Sequence, residues 1–110
     1  MTAEEKLEVV EEYRVDIQML KKIVEVAEEV HYRSRGNIEV QSYLENVLAN
    51  VKNAIIELAE EFAEDEMHEG ELVGYAFTWL AKLKSAENDS ERAEILKDWL
   101  KEIESKESAE

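Results

Sequence analysis

Several residue types that commonly shape a protein are missing or scarce in this chain of 110 residues. It has no cysteine, which excludes disulfides, cysteine-ligated zinc and thiol nucleophiles. It has no proline, and its three glycines stand at positions 36, 70 and 74, so few residues interrupt regular structure. No apolar run approaches the ~18–20 residues that span a membrane, and residues 1–5 lack the pattern of a signal peptide. We therefore expect a soluble cytoplasmic protein with no membrane partner.

Positive charge is also scarce. The chain has 13 Lys and Arg residues against 28 Asp and Glu residues, which gives a formal net charge of -15 at pH 7. This excess would repel a phosphate backbone, so we expect no nucleic-acid partner. Hydrophobic residues still make up 45% of the chain, enough for one domain with its own core. We place this domain at residues 1–104 and expect the tail, residues 105–110, to fray.

Apolar residues recur at three- and four-residue steps, which predicts helices throughout the chain. A capping box of Thr2 and Glu5 marks the start of a first helix near position 3. That helix ends at about Ser34, because Gly36 favours a left-handed C-cap and Asn37 favours the N-cap of the next helix. The turn is short, which predicts antiparallel packing. The predicted core face of this helix comprises Val10, Ile17, Leu20, Val24, Ala27 and His31, flanked by Val9, Ile23 and Val30.

The second half of the chain continues the helical pattern. A second helix begins at Ile38 and continues to Met67 or His68, and the sequence leaves open whether Gly70 ends it or kinks it. A third amphipathic stretch begins at Leu72 and a loop follows at residues 85–90. The candidates for the cap of a fourth helix are Asn88, Asp89 and Ser90. We predict an all-α four-helix bundle in which two long antiparallel helices are followed by two shorter ones.

The densest charge lies between Glu57 and Glu71, where eight of 15 residues are Asp or Glu and none is Lys or Arg. On a helix these charges average roughly one per 2.8 Å of axis, close to the ~3.4 Å phosphate spacing of a DNA strand. We therefore predict that this face binds a protein with a basic surface, as an inhibitor or a nucleic-acid mimic does. The predicted partner-binding residues are Glu57, Glu60, Glu61, Glu64, Asp65 and His68. The alternative is an ordinary solvated face.

Two carboxylate-x-x-His pairs, Glu28 with His31 and Asp65 with His68, place two metal ligands on one helical face. His31 lies near the predicted turn and His68 lies about thirty residues along the second helix, so the pairs are tens of ångströms apart. The candidates for a surface cation are Glu61, Glu64 and His68. No Ser or Thr stands beside either histidine in a motif, so no catalytic triad can be assigned. We expect a protein without enzymatic activity and without a cofactor.

Residues 60–64, Glu-Glu-Phe-Ala-Glu, match the EExxE element of the all-α nucleotide pyrophosphohydrolases of the MazG type. The following segment, from Glu71 to Leu80, resembles the next helix of that family. The resemblance implies Mg²⁺ held by carboxylates of both helices and bound to the phosphates of a substrate. The second element should read ExxD, but position 74 is Gly, and the spacing from Glu64 is shorter than in that family. A Mg-dependent pyrophosphohydrolase is the enzymatic alternative.

The only locally basic segment is His-Tyr-Arg-Ser-Arg at residues 31–35. Cations at the C-terminal end of a helix complement its dipole by about 0.3–1 kcal/mol each. A basic end and an acidic end would also allow head-to-tail self-association. Two long helices with wide apolar stripes, which two shorter helices need not cover, also allow a homodimer. With the regular spacing and the absence of proline and cysteine, these features make a self-assembling or de novo designed scaffold the second non-enzymatic interpretation.

Overall fold

A computed structural model describes residues 2–69 and 75–108, which form four helices. Helix α1 spans Ala3–Arg33, α2 spans Ile38–Glu69, α3 spans Ala76–Ser85 and α4 spans Asp89–Ser108. α1 packs against α2 and α4, and α2 also packs against α3. The predicted bundle of two long antiparallel helices followed by two shorter ones is confirmed. No helix within the described residues is long and apolar enough to cross a membrane.

Polar contacts fix the start of both long helices. Thr2 Oγ1 accepts a hydrogen bond from the backbone N–H of Glu5 at 3.2 Å, as the predicted cap requires. At the turn between α1 and α2, Gly36 has a φ of 89°, in the left-handed region that a side chain would disfavour. Asn37 Oδ1 then accepts from the backbone N–H of Val40 at 3.2 Å. The predicted left-handed glycine and the predicted N-cap are therefore both confirmed.

The turn between α3 and α4 is held by a dense set of polar contacts. Asn88 Oδ1 accepts from the backbone N–H of Glu91 at 2.8 Å, so Asn88 is the N-cap among the three candidates. The buried Arg92 donates to Asp89 Oδ1 at 2.7 Å and to the carbonyl oxygen of Ala86 at 3.3 Å. One guanidinium group thus ties the end of α3 to the start of α4.

Helix ends differ from the sequence predictions by a few residues. α2 continues to Glu69, one residue further than expected, whereas Gly70 and Leu72 lie outside the described residues. α3 begins at Ala76, directly after Tyr75, which has a φ of 52°. α4 extends to Ser108 and so includes four residues of the segment that was assigned to the tail. The fraying of that tail stays a prediction.

Aromatic rings from all four helices form one row through the core. Tyr13 of α1 stacks on Phe62 of α2 with a centroid separation of 4.2 Å. Phe62 lies 5.7 Å from Trp99 of α4, which lies 6.4 Å from Trp79 of α3. The indole N–H of Trp79 donates to Glu102 Oε2 at 2.7 Å. Since each helix contributes one ring, the row joins all four helices at one level of the bundle.

The wide apolar stripe predicted for α1 is only partly buried. Ile17 and Val24 are buried as predicted, but Ile23 and Val30 are 42% and 40% exposed. His31 lies at the edge of the core, with Nε2 3.3 Å from Glu45 Oε1 of α2. α3 has 10 residues and α4 has 20, against 31 and 32 in the two long helices, and one apolar edge of α1 stays exposed in the described bundle.

Candidate protein-binding face

The acidic segment is displayed on the C-terminal part of α2, which is helical through Glu69. Glu57, Glu61 and Glu64 are exposed, and so is His68, whereas Phe62 on the opposite side is buried. The charge therefore lies on a helix anchored in the core.

One predicted partner-binding residue, Asp65, has a role inside the bundle. The buried hydroxyl of Tyr13 donates a hydrogen bond to Asp65 Oδ2 and so joins α1 to α2. Burial, this hydrogen bond and the charge of Asp65 raise the pKa of Tyr13 well above its ordinary range, and the charges of Glu61 and Glu12 add to the effect. Asp65 is therefore half-buried and structural, which spacing along the sequence could not reveal.

Two further carboxylates of the segment contact α3. Glu66 Oε2 accepts a hydrogen bond from the backbone N–H of Ala76 at 3.0 Å, at the N-terminus of α3, where a negative charge is favoured. Glu60 Oε1 lies 3.6 Å from Lys84 Nζ near the end of α3. Of the six predicted partner-binding residues, Glu60 and Asp65 thus bind groups of this chain.

A groove lies between α1 and α2, and both of its walls come from these two helices. It has a volume of about 320 Å³. Its apolar lining consists of Met19, Leu20, Ile23, Ala54 and Leu58, and its acidic lining consists of Asp16, Glu57 and Glu61. The three carboxylates are exposed, while Leu20 and Leu58 are half-buried against the core. The groove is therefore apolar at its floor and negative at its edge.

Five exposed apolar side chains extend this groove along α1. They stand at steps of four, four, three and four residues, which places them on one side of the helix over about 22 Å. We call them the α1 seam: Val15, Met19, Ile23, Val26 and Val30. Met19 is the most exposed of them, at 59%. We call the α1 seam, the groove and the exposed residues Glu57, Glu61 and Glu64 together the outer face.

The sequence analysis missed the α1 seam because it placed Ile23 and Val30 at the flank of the core face and assigned no role to Val15, Met19 and Val26. The seam residues form a second apolar series with the same three- and four-residue spacing as the core series. The second series lies on a different side of the helix. Ile23 and Val30 belong to this second series, although they were predicted at the edge of the core.

The end of the hairpin near the α1–α2 turn is basic, as the sequence indicates. The side chain of Arg33 is 75% exposed, with Nη2 2.7 Å from Glu29 Oε1 one turn earlier. The guanidinium group of Arg35 lies 4.3 Å from the centre of the Tyr32 ring. Arg33 therefore lies at the turn end of the α1 seam, whereas Arg35 stacks on a ring away from it.

No three His, Asp or Glu side chains of the described residues lie close enough together to hold a metal ion. Glu28 of the first carboxylate-x-x-His pair accepts a hydrogen bond from Ser90 Oγ at 2.7 Å. Glu61, Glu64 and His68 stand on exposed turns of α2. In the EExxE element Glu60 is paired with a lysine, and Gly74 lies outside the described residues.

No protein-family model, no curated protein and no solved structure matches this chain.

Proposed function

We propose that this chain is a non-enzymatic protein that binds another protein through the outer face. The observation that carries this proposal is an apolar groove with carboxylates at its edge, to which none of the described residues of α3 or α4 contributes. Contiguous exposed apolar surface with a polar rim is typical of protein interaction sites. Met19 and Ile23 gain by burial in a complex, at roughly 25 cal/mol for each Å² of apolar surface removed from water.

The groove and the carboxylates have different roles in this binding. An exposed ion pair contributes only about 0–1 kcal/mol, so Glu57 and Glu61 alone cannot hold a partner. Burial of the apolar floor supplies the affinity, whereas the carboxylates orient the partner and speed its approach. This division favours a partner segment with an apolar ridge flanked by cations, such as an amphipathic helix with Lys or Arg beside its apolar side. A protein with this chemistry can block a basic site on its partner as an inhibitor does.

Affinity capture with matched variants tests the proposal. The immobilised chain is exposed to a lysate of its source cell at about 50 mM and 300 mM salt, a range over which exposed charges become screened. We expect retained proteins to be lost with Ile23→Glu at both salt concentrations. With the triple variant Asp16→Asn, Glu57→Gln and Glu61→Gln, we expect weaker retention at low salt only.

The control for charge is a second triple variant, Glu39→Gln, Glu94→Gln and Asp98→Asn, which removes the same charge from exposed residues outside the outer face. It should retain the same proteins as the unaltered chain. Retention that is identical for the unaltered chain and for Ile23→Glu would contradict the proposal.

A further inference from the structure

This chain itself carries the kinds of side chain that suit the outer face. A suitable occupant brings apolar side chains together with cations, and α1 carries the exposed Lys22 and Arg33 beside the α1 seam. We propose that the occupant is a second copy of this chain, with the two α1 seams packed antiparallel about a two-fold axis. This inference rests on the proposed function, since it names the protein that the outer face binds.

The spacing of the α1 seam fits pairing with itself. Ile23 and Val26 lie equally far from the midpoint between positions 24 and 25, and Met19 and Val30 are likewise equidistant from it. An antiparallel two-fold pair centred there places Ile23 opposite Val26 of the second copy and Met19 opposite Val30 of the second copy. Four of the five seam residues thus meet an apolar side chain of the second copy, as a self-complementary interface requires, and the fifth, Val15, falls opposite Ser34 at the end of the seam.

The charges around the α1 seam fit the same arrangement. Asp16 and Arg33 are also equidistant from the midpoint, so each Asp16 lies at the same level along the axis as Arg33 of the second copy, on the other side of the seam. Lys22 and Glu29 share the flank of the seam away from α2, and antiparallel packing brings each Lys22 within one turn of Glu29 of the second copy. The two-fold axis gives two such pairs of Lys22 with Glu29. A parallel arrangement would instead set Asp16 beside Asp16 of the second copy.

The net charge makes this complementarity necessary. Two chains of charge -15 repel each other, and the repulsion is screened beyond about 8 Å at physiological salt. Contact therefore depends on which charges meet at short range. The antiparallel arrangement sets Lys22 beside Glu29 of the second copy and brings Arg33 to the level of Asp16 along the axis. It also covers the exposed side of Met19, which no described residue of this chain buries.

Exchanging the charges of Lys22 and Glu29 tests whether the proposed dimer forms. Sedimentation equilibrium should show a dimer for the unaltered chain. Lys22→Glu and Glu29→Lys each place like charges at both copies of the pair, so each should raise the dimer dissociation constant by on the order of tenfold or more. An equimolar mixture of the two variants restores opposite charges at every pair and should form a heterodimer.

The controls are Lys101→Glu and Glu94→Lys, which make the same charge changes at exposed positions of α4 and should leave the dimer intact. Far-ultraviolet circular dichroism checks that each variant keeps its helices. A monomer of the unaltered chain at several hundred micromolar would overturn the inference. So would a dimer that both charge variants leave unchanged, or variants that fail to combine when mixed.

Cross-linking tests the register, because the chain has no native cysteine. Met19→Cys mixed with Val30→Cys should give a disulfide-linked dimer on oxidation. Neither variant should do so alone, since identical positions lie about 16 Å apart along the helix axis in the antiparallel pair. A disulfide between two copies of Met19→Cys indicates parallel packing and would overturn the inference.

The two proposals fail in different ways. If the unaltered chain is a monomer but retains a foreign protein that Ile23→Glu does not retain, the inference fails and the proposed function stands. If the chain neither dimerises nor retains any protein through the outer face, both fail. Dimerisation that responds to the charge exchange supports both, with a second copy as the partner.

Discussion

At the scale of single residues, the acidic segment divides into two groups of carboxylates. Asp65 and Glu66 contact the hydroxyl of Tyr13 and the N-terminus of α3, whereas Glu57 and Glu61 stand at the edge of the groove. The spacing of acidic residues predicted the exposed group correctly. It could not show that Asp65 has a structural role, because Tyr13, whose hydroxyl binds Asp65, is 52 positions away in the sequence. A contact of that range depends on how α1 and α2 pack.

The hydrogen bond of Tyr13 predicts a cost of truncation that depends on pH. Tyr13→Phe should lower the free energy of unfolding by about 1–2 kcal/mol at pH 7, because it leaves a half-buried carboxylate without its donor. The raised pKa of Tyr13 means that the unfolded chain loses this proton first, once the pH exceeds the ordinary tyrosine value of about 10. The unfolded state then binds fewer protons, so stability falls as the pH rises further. Urea unfolding at pH 7 and pH 10.5 measures the effect.

The Tyr13→Phe variant has no hydroxyl at this position. Titration of Tyr13 therefore cannot lower its stability at high pH. The difference in stability between the two proteins should shrink between pH 7 and pH 10.5. A difference that stays constant or grows with pH would show that the hydroxyl of Tyr13 does not make this hydrogen bond in solution.

At the scale of helices, local chemistry determines where most elements begin. Thr2, Asn37 and Asn88 all accept hydrogen bonds from backbone N–H groups three residues later, and all three were identified from the sequence as caps or cap candidates. Helix starts could be predicted because the donor and the acceptor are neighbours in the chain. The two apolar series on α1 were harder to assign. Periodicity shows which residues share a side of the helix, but it does not show which side the other helices cover.

The N-cap of α4 is expected to contribute measurably to stability. Asn88→Ala removes the acceptor for the backbone N–H of Glu91 and should lower the free energy of unfolding by about 1 kcal/mol. Asn88→Asp keeps an acceptor and should stay close to the unaltered protein. The control Asn50→Ala, at an exposed position inside α2, should be neutral or slightly stabilising because Ala favours helix interiors. Urea unfolding followed by circular dichroism gives the three values, and an equal loss for Asn88→Ala and Asn88→Asp would contradict the capping role.

At the scale of the whole molecule, the excess of carboxylates opposes the compact state. Ion pairs between two exposed side chains, such as Arg33 with Glu29 and Lys84 with Glu60, contribute little. Like charges one turn apart on α2, such as Glu57 with Glu61, repel each other by a few tenths of a kcal/mol per pair. The fold class was predictable despite this charge, because the apolar spacing alone requires helices. Which side of α1 stays exposed was not predictable, because it depends on where the shorter helices pack.

This repulsion predicts that salt stabilises the protein. Raising NaCl from about 10 mM to 200 mM shortens the screening length from about 30 Å to below 10 Å and should raise the Tm. The variant Glu57→Gln, Glu61→Gln and Glu64→Gln should start from a higher Tm at low salt and respond less to added salt. Differential scanning calorimetry at fixed protein concentration measures both. A Tm that falls with salt would show that attractive pairs outweigh the repulsion.

The packing of α1 against both α2 and α4 has a consequence for the order in which the chain acquires its structure during synthesis. The ribosome releases α1 and α2 before α4. Until α4 emerges, the ring of Phe62 lacks its stacking contact with Trp99. At typical elongation rates the 34 residues from Glu69 to Ile103 take roughly 2 to 7 s. During that interval the nascent hairpin exposes the side that later becomes the core in addition to its outer face. Two nascent chains that meet during that interval can therefore contact each other through either side of α1.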